Sequence, residues 1–420
     1  MLLQFSVNNF RSIKDTVTFS MLSEEKNSNI NKIRNYKLLQ SAVLYGANAS
    51  GKSNIFGAMS YMASVVLNKP KIIQSTDELP YFPFRLSTET EKASSSFEIV
   101  FFIGDIKYRY GFEADNLEVY AEWLFADTKG REAKLFYRDS TEQYINTIFK
   151  EGIKFFDKKN SKISVAKNQL LLWKCDQNDG EVSKTILQWF KGFNVIDGLD
   201  HNGYASFTIK RMEDSNFRDK INDLVKTADV GIELIATSEE DIPLDFVEKL
   251  QLLEVIKQEF LKDGGLKQIN INTYHKKYNE NHEEIGNVIF ELDEEESLGT
   301  RKFFKISAPI IDTLNEGKVL VIDELDASLH PMLTRHLIKL FNSDLNKKNA
   351  QLIFATHDTS LLTKDLFTRE QIWLTEKNRY GATDLYSLLE IKDVRAKEDF
   401  EKYYLQGKYG AIPYLGKFEF

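Results

Sequence analysis

The octapeptide Gly46-Ala47-Asn48-Ala49-Ser50-Gly51-Lys52-Ser53 has the pattern G-x-x-x-x-G-K-[ST]. It lies between an apolar run, Ala42-Val43-Leu44, and a stretch of helical periodicity, which is the context that gives the pattern meaning. Such a loop turns its backbone N–H groups inward, and the helix start that follows adds positive potential, so it suits phosphate. Gly46 and Gly51 supply backbone conformations that a Cβ would forbid. The pattern assigns Lys52 to the β- and γ-phosphates of a nucleotide and Ser53 to Mg²⁺, with Asn48, Ser50 and Asn54 as further nucleotide-binding positions.

Three further groups share this logic. Val319-Leu320-Val321-Ile322-Asp323-Glu324 reads as a buried strand with two acids at its tip. There Asp323 would hold Mg²⁺ and Glu324 would polarise an attacking water as general base. Thr356-His357-Asp358 follows the next apolar strand, the position at which one class of P-loop ATPase carries a γ-phosphate-sensing histidine. Glu296-Ser297-Leu298-Gly299-Thr300 opens a helix, and Ser297 and Gly299 there form a second phosphate-binding element. One chain cannot easily bring both elements to a single nucleotide. In a head-to-tail dimer, each protomer can offer its second element to the γ-phosphate held by its partner.

The elements that must position these groups follow from periodicity. Leu3, Phe5 and Val7 alternate as one strand, Thr16–Ser20 as another, and Ser41–Tyr45 is a buried central strand. Ile55, Phe56, Met59, Met62, Val65 and Val66 fall on one helical face over residues 52–67. Phe97–Ile103 and Lys107–Glu113 predict a hairpin about Gly104-Asp105. Helices are expected over Phe217–Thr227, Leu244–Lys262 and Thr300–Leu314, and another from Pro331. Further strands are expected over Gln268–His275, Asn287–Leu292, Lys318–Ile322, Gln351–Ala355 and Gln371–Thr375.

The bulk numbers narrow the class. With 55 basic and 63 acidic side chains the 420-residue chain carries a net charge of −8, unlike a protein that coats nucleic acid. The lone Cys175 excludes a disulfide framework or a cysteine zinc site within one chain, and it reads as buried filler rather than a nucleophile. No apolar run is long enough to span a membrane, and a cytoplasmic location is the expectation. The acidic run Glu291-Leu292-Asp293-Glu294-Glu295-Glu296 reads as a solvated face, and Gln74 as a surface-loop residue.

The order P-loop, long insertion, S-x-G-T, four apolar residues with Asp-Glu, then histidine resembles the ABC-type ATPases. Asn9-Phe10-Arg11-Ser12 and the split layout resemble their RecF/SMC-like branch. A closer resemblance is to the short RloA/AbiL-type ATPases, related to the ATPase subunits of the PARIS and Septu phage-defence systems. It is carried by Glu296–Thr300, Asp323–Pro331, Gln371-Ile372-Trp373 and the tail Tyr404–Pro413. The resemblance implies an α/β fold: an ABC-type head, a mixed sheet with a β-rich N-terminal lobe, split by an α/β-to-helical insertion. Its expected divisions are an N-terminal lobe over 1–150, a mainly helical insertion over 151–265 and a C-terminal lobe over 266–420. The resemblance further implies ATP and Mg²⁺ as cofactors, Lys52, Glu324 and His357 in catalysis, Ser297 and Gly299 acting in trans, and Arg11 near the nucleotide. Ala327–His330 matches the D-loop that lines the dimer seam in the family. The implied assembly is a head-to-tail dimer or a larger even-numbered oligomer that regulates a separate effector, a nuclease or Toprim-like protein. A RecF-like DNA-repair ATPase that binds DNA is the alternative. A transporter subunit fits poorly with 243 residues between Ser53 and Ser297, and a fused nuclease fits poorly with the 63 residues after His357.

Overall fold

The computed structural model describes residues 1–24, 30–198, 202–228, 231–241 and 267–413. The expected helix over Leu244–Lys262 lies outside them. Strand β1 (Leu2–Asn8) alternates buried and half-buried residues as its sequence does, and β2 (Val17–Ser20) pairs with it antiparallel. Strand β3 (Ser41–Gly46) is buried at every position, and helix α1 (Lys52–Val66) follows it through the glycine loop. Four strands then run as a meander: β4 (Ser95–Ile103), β5 (Ile106–Ala114), β6 (Val119–Asp127) and β7 (Glu132–Arg138). The short β8 (Gln143–Ile145) ends it. Helix α2 (Glu181–Lys191) leads into β9 (Phe193–Asp197). Next come β10 (Ile232–Asp241), β11 (Lys267–Tyr278) and β12 (Glu284–Glu291). Helix α3 (Leu298–Glu316) precedes β13 (Val319–Asp323), and α4 (Pro331–Phe341) precedes β14 (Gln351–Ala355). Strands β15 (Ile372–Lys377) and β16 (Thr383–Ser387) and helix α5 (Phe400–Leu405) complete the described chain.

The fold is mixed α/β with a large antiparallel sheet. Two compact units emerge, and the chain passes between them more than once. The first comprises 1–199, 313–327 and 331–420. It holds a seven-stranded sheet in the order β8-β7-β6-β5-β4-β1-β2 and a six-stranded sheet in the order β9-β13-β14-β3-β15-β16. In the second sheet every pair is parallel except β15 with β16. The carboxyl ends of β3, β13 and β14 therefore lie on one edge, where ligands bind in open parallel sheets. A core that includes Phe5, Phe10, Leu44, Phe56, Met59, Phe97, Trp173 and Phe190 runs between the sheets and α1. Cys175 is fully buried in it, and burial pushes its thiol pKa up, as befits a packing residue.

The expected break at residue 150 falls inside this unit, and the reason is a long-range strand pairing. Strand β9 joins β13 in parallel register from Phe193↔Val319 to Asp197↔Asp323, which draws 151–199 into the first unit. The expected C-terminal lobe also divides, since residues 267–312 belong to the second unit.

The second unit comprises 200–312 and 328–330. Its three-stranded antiparallel sheet, β10-β11-β12, is joined by helices Asn202–Arg211 and Ser215–Ala228 and most of α3. The Asn222 side chain fastens a helix to β10, accepting from Ile235 N (2.6 Å) and donating to Ile235 O (3.3 Å). Thr208 donates to the Lys305 carbonyl at 2.6 Å, and Arg211 pairs with Asp312 at 2.9 Å. Among the described residues no helix is long and apolar enough to cross a membrane.

Candidate active site

Strand β3 delivers the chain into the glycine loop at Gly46, where a Cβ would collide with the Thr375 hydroxyl and carbonyl of neighbouring β15. Ala49 and Gly51 adopt positive φ (62° and 116°), and Gly51 caps α1 in the left-handed conformation that its missing Cβ permits. Side chains lace the loop to its surroundings. Ser50 Oγ meets Thr375 Oγ1 at 2.6 Å, and Thr383 Oγ1 donates to Ser50 O at 2.9 Å. Asn54 Nδ2 donates to Ser12 Oγ at 2.6 Å, and Ser12 Oγ meets Thr383 Oγ1 at 2.8 Å. The loop is therefore held from β15, from β16 and from the segment after β1.

Lys52 is 5% exposed and folds back over the loop, donating to Gly46 O (2.8 Å) and Ala47 O (3.3 Å). Burial lowers its pKa, while Asp323, Glu324 and Asp326 pull it back up. A partly desolvated ammonium beside backbone N–H donors is a strong phosphate anchor, because neither must shed much water when the anion arrives.

Asp323 closes β13. Burial and the nearby Asp197 raise its pKa, and a hydrogen bond from Ser53 and the Lys52 charge oppose them. Among the described residues its buried Oδ1 has no hydrogen-bond partner. A buried, orphaned carboxylate oxygen next to a serine hydroxyl is the donor set an oxygen-loving divalent cation takes, so Asp323 and Ser53 fit Mg²⁺. Glu324 follows with φ of 49°, an uncommon conformation for a residue with a Cβ, and lines one cleft with Lys52, Ser53, Asn54 and His357. That cleft encloses about 440 Å³.

His357 leaves the end of β14 exposed, and its backbone N–H donates to Asp326 Oδ2 at 3.4 Å. Leu325 N donates to Ala355 O at 3.1 Å, so the loop after the acid pair is tied to the loop bearing the histidine. The buried Tyr45 donates its hydroxyl to Asp358 O at 2.8 Å, fixing that loop from below. A larger chamber of about 850 Å³ continues from the cleft, walled by Tyr45, Thr359, Tyr404, Ala411, Ile412 and Pro413.

The first unit thus brings together Gly46, Asn48, Ser50, Gly51, Lys52, Ser53, Asn54, Asp323, Glu324 and His357. Arg11 stands apart from the cleft lining. With φ of 48° it stacks between the Phe10 and Phe82 rings (5.4 and 5.5 Å) and lies against α1 at Gly57. Gln74 lies in an exposed turn closed by Asp77, whose Oδ2 accepts from Gln74 N at 2.7 Å.

Ser297 and Gly299 belong to the second unit. Ser297 is exposed and caps α3, its Oγ accepting from Thr300 N at 3.1 Å. A Cβ on Gly299 would come within 2.7 Å of the Ser328 carbonyl, so the glycine lets the two segments touch. Leu298 between them is 70% exposed. Glu296 departs from the solvated face expected of its acidic run, because Thr273 and His275 of β11 both reach it at 2.6 Å. Asp293, Glu294 and Glu295 are exposed as expected, and no metal-holding acidic or histidine cluster occurs among the described residues.

Sequence reasoning missed Lys377, which ends β15 and puts a further cation on the cleft, and Asp326, which holds the histidine loop. Neither carries a local signal, since each role depends on a partner strand far away in sequence.

Among solved structures, a SmcHead bound to the C-winged helix domain of ScpA matches at 12% identity and a TM-score of 0.43, covering 92% of this chain and 97% of the other. The SMC head domain from Thermotoga maritima matches at 12% identity and a TM-score of 0.40, covering 92% and 98%. No curated protein sequence matches. A family model described as "AAA domain, putative AbiEii toxin, Type IV TA system" matches residues 41–363. That span runs from β3 through the glycine loop, Ser297, the acid pair and His357, and the chain belongs to this family.

Proposed function

We propose that the chain is an ATPase that binds ATP and Mg²⁺ at the β3–α1 loop and hydrolyses ATP across a head-to-tail dimer. In this role it acts as the sensor or regulatory subunit of an anti-phage system and controls a separate effector. The observation that carries the reading is Asp323 Oδ1, buried without a hydrogen-bond partner among the described residues, on a side chain that takes a hydrogen bond from Ser53 and feels the Lys52 charge, while Ser53 and Lys52 line a cleft with Glu324 and His357. Backbone N–H groups of the loop and Lys52 bind the phosphates. Ser53 and Asp323 hold Mg²⁺, which when bound neutralises phosphate charge and orients the terminal group. Glu324 takes a proton from the attacking water, and the exposed His357 contacts the γ-phosphate and reports its presence to its loop.

The exposed Ser297 at the start of α3 is the element each protomer offers to the other. This gives Ser297 a function beyond capping and accounts for the exposure of Leu298 beside it. The family description's wording, a putative AbiEii toxin of a Type IV TA system, and the resemblance to RloA/AbiL-type ATPases support the defence role. The net charge of −8 favours a protein effector over DNA as the main partner.

Glu324→Gln tests the chemistry. It is expected to bind ATP normally, to lose roughly 100-fold or more in turnover, in the range for a general base, and to accumulate as a dimer with ATP bound. Undiminished turnover would remove Glu324 as the base. Purification with neighbouring gene products tests the partner. A lone protein whose turnover rises on adding DNA would favour a RecF-like repair ATPase instead.

A further inference from the structure

Inside the second unit, two side chains of β11 meet on a single carboxylate oxygen of Glu296. Thr273 Oγ1 and His275 Nε2 each lie 2.6 Å from Glu296 Oε1, and they are 3.2 Å from each other. The site is sheltered, since the Glu296 side chain is 8% exposed and that of His275 is 18% exposed. The His275 ring packs on Phe290 of β12 at 4.7 Å, which fixes its plane. A carboxylate oxygen accepts, so Nε2 carries a proton here whether the ring is neutral or charged. Glu296 is gripped at its backbone as well, because Arg301 Nε donates to Glu296 O at 2.8 Å. The next residue is Ser297.

We infer that His275 and Thr273 are positioning residues for Ser297: by clamping Glu296 they set the pose in which the Ser297 hydroxyl and the start of α3 meet the partner's γ-phosphate. The inference rests on the head-to-tail reading of Ser297 above. A single tether at Arg301 would leave the exposed Ser297-Leu298 corner free to pivot about the Glu296 backbone. The second tether, to the middle of a three-stranded sheet, removes that freedom before the dimer forms. Preorganisation of this kind acts on the reacting state and leaves nucleotide capture by the other protomer's glycine loop untouched. The sheet β10-β11-β12 becomes the rigid mount of the trans element, and anything that moves β11 relative to α3 alters turnover.

The test uses the full chain with Mg²⁺, measuring steady-state kcat and KM for ATP, binding of a fluorescent ATP analogue, and thermal melting. His275→Ala is expected to lower kcat roughly tenfold, the scale of losing one hydrogen bond to a charged group, with analogue binding and melting unchanged. His275→Gln, whose amide can donate to Glu296, is expected to recover most of the loss, and Thr273→Val to show part of it. Wild-type kcat in His275→Ala would overturn the inference. So would a loss of kcat that His275→Gln does not recover, or one accompanied by equal losses of analogue binding and melting temperature. Ser297→Ala separates the two levels. If it turns over ATP like wild type, the trans reading of Ser297 has failed. If it is slow while His275→Ala is normal, only the positioning role has failed.

Discussion

Lys52 shows how far one side chain can be read. Its amine bonds the carbonyls of its own loop and is partly desolvated, so it is ready for an anion. Lys52→Met should keep the fold, because a flexible apolar chain of similar length fills the same space. The expected result is a melting temperature near wild type with nucleotide binding lost by isothermal titration. Asp323 makes the converse case, in which function opposes stability. Its folded pKa is raised above the unfolded value, so its contribution to stability is fully present only below the unfolded pKa and is lost as pH rises through the folded one. Above its folded pKa the ionised group therefore burdens the metal-free fold. Asp323→Asn should melt higher than wild type without Mg²⁺ and lose the additional stabilisation that Mg²⁺ with nucleotide gives the wild type. The same shift makes protons compete with Mg²⁺, so Mg²⁺ affinity should begin to fall on acidification at a pH above the ordinary aspartate range. These residues were legible because their chemistry needs neighbours in sequence: glycine beside lysine and serine, aspartate beside glutamate. Asp326, Lys377 and Glu296 were not, because what gives them meaning is a partner 31 residues away in one case and a strand end or a distant histidine in the others.

At the scale of elements, strands β3, β13 and β14 declared themselves as continuous apolar runs and α1 by its helical stripe, so the edge carrying the site followed directly. Strand β9 did not. Phe-Asn-Val-Ile-Asp is short and half-buried, and it becomes a strand by lying in register on β13 more than 120 residues later. Contacts of that range leave no local pattern. The start of α3 carries the clearest prediction at this scale. Gly299→Ala drives a methyl into the Ser328 carbonyl, which must then move or push the helix start away. The expected outcome is a turnover loss of roughly tenfold or more, as for a misplaced transition-state contact, with nucleotide binding unchanged. Equal losses in both would instead indicate a folding defect.

For the whole molecule, the two compact units are interleaved in sequence, which composition and periodicity could not reveal because neither records chain returns. All residues proposed to hold nucleotide in the same protomer belong to the first unit. A ligand that binds only the folded form stabilises what it binds, by about 2.7 kcal/mol at a hundredfold excess over its dissociation constant. ATP analogue with Mg²⁺ should therefore slow amide exchange in β3, α1, β13 and β14 and leave β10–β12 little changed at protein concentrations too low to dimerise. Uniform protection of both sets would contradict a site confined to the first unit.

Gly198 sits where the chain leaves the first unit for the second, and it has almost no room. Its N–H donates to the Asp323 carbonyl at 2.8 Å, and a Cβ there would strike the carbonyls of Asp323 and Glu324. The residue that follows β9 is thus moored to the backbone of the acid pair. The backbone that carries the proposed general base and metal ligand is therefore also the backbone on which the end of β9 rests, and a side chain introduced at Gly198 would press on it directly.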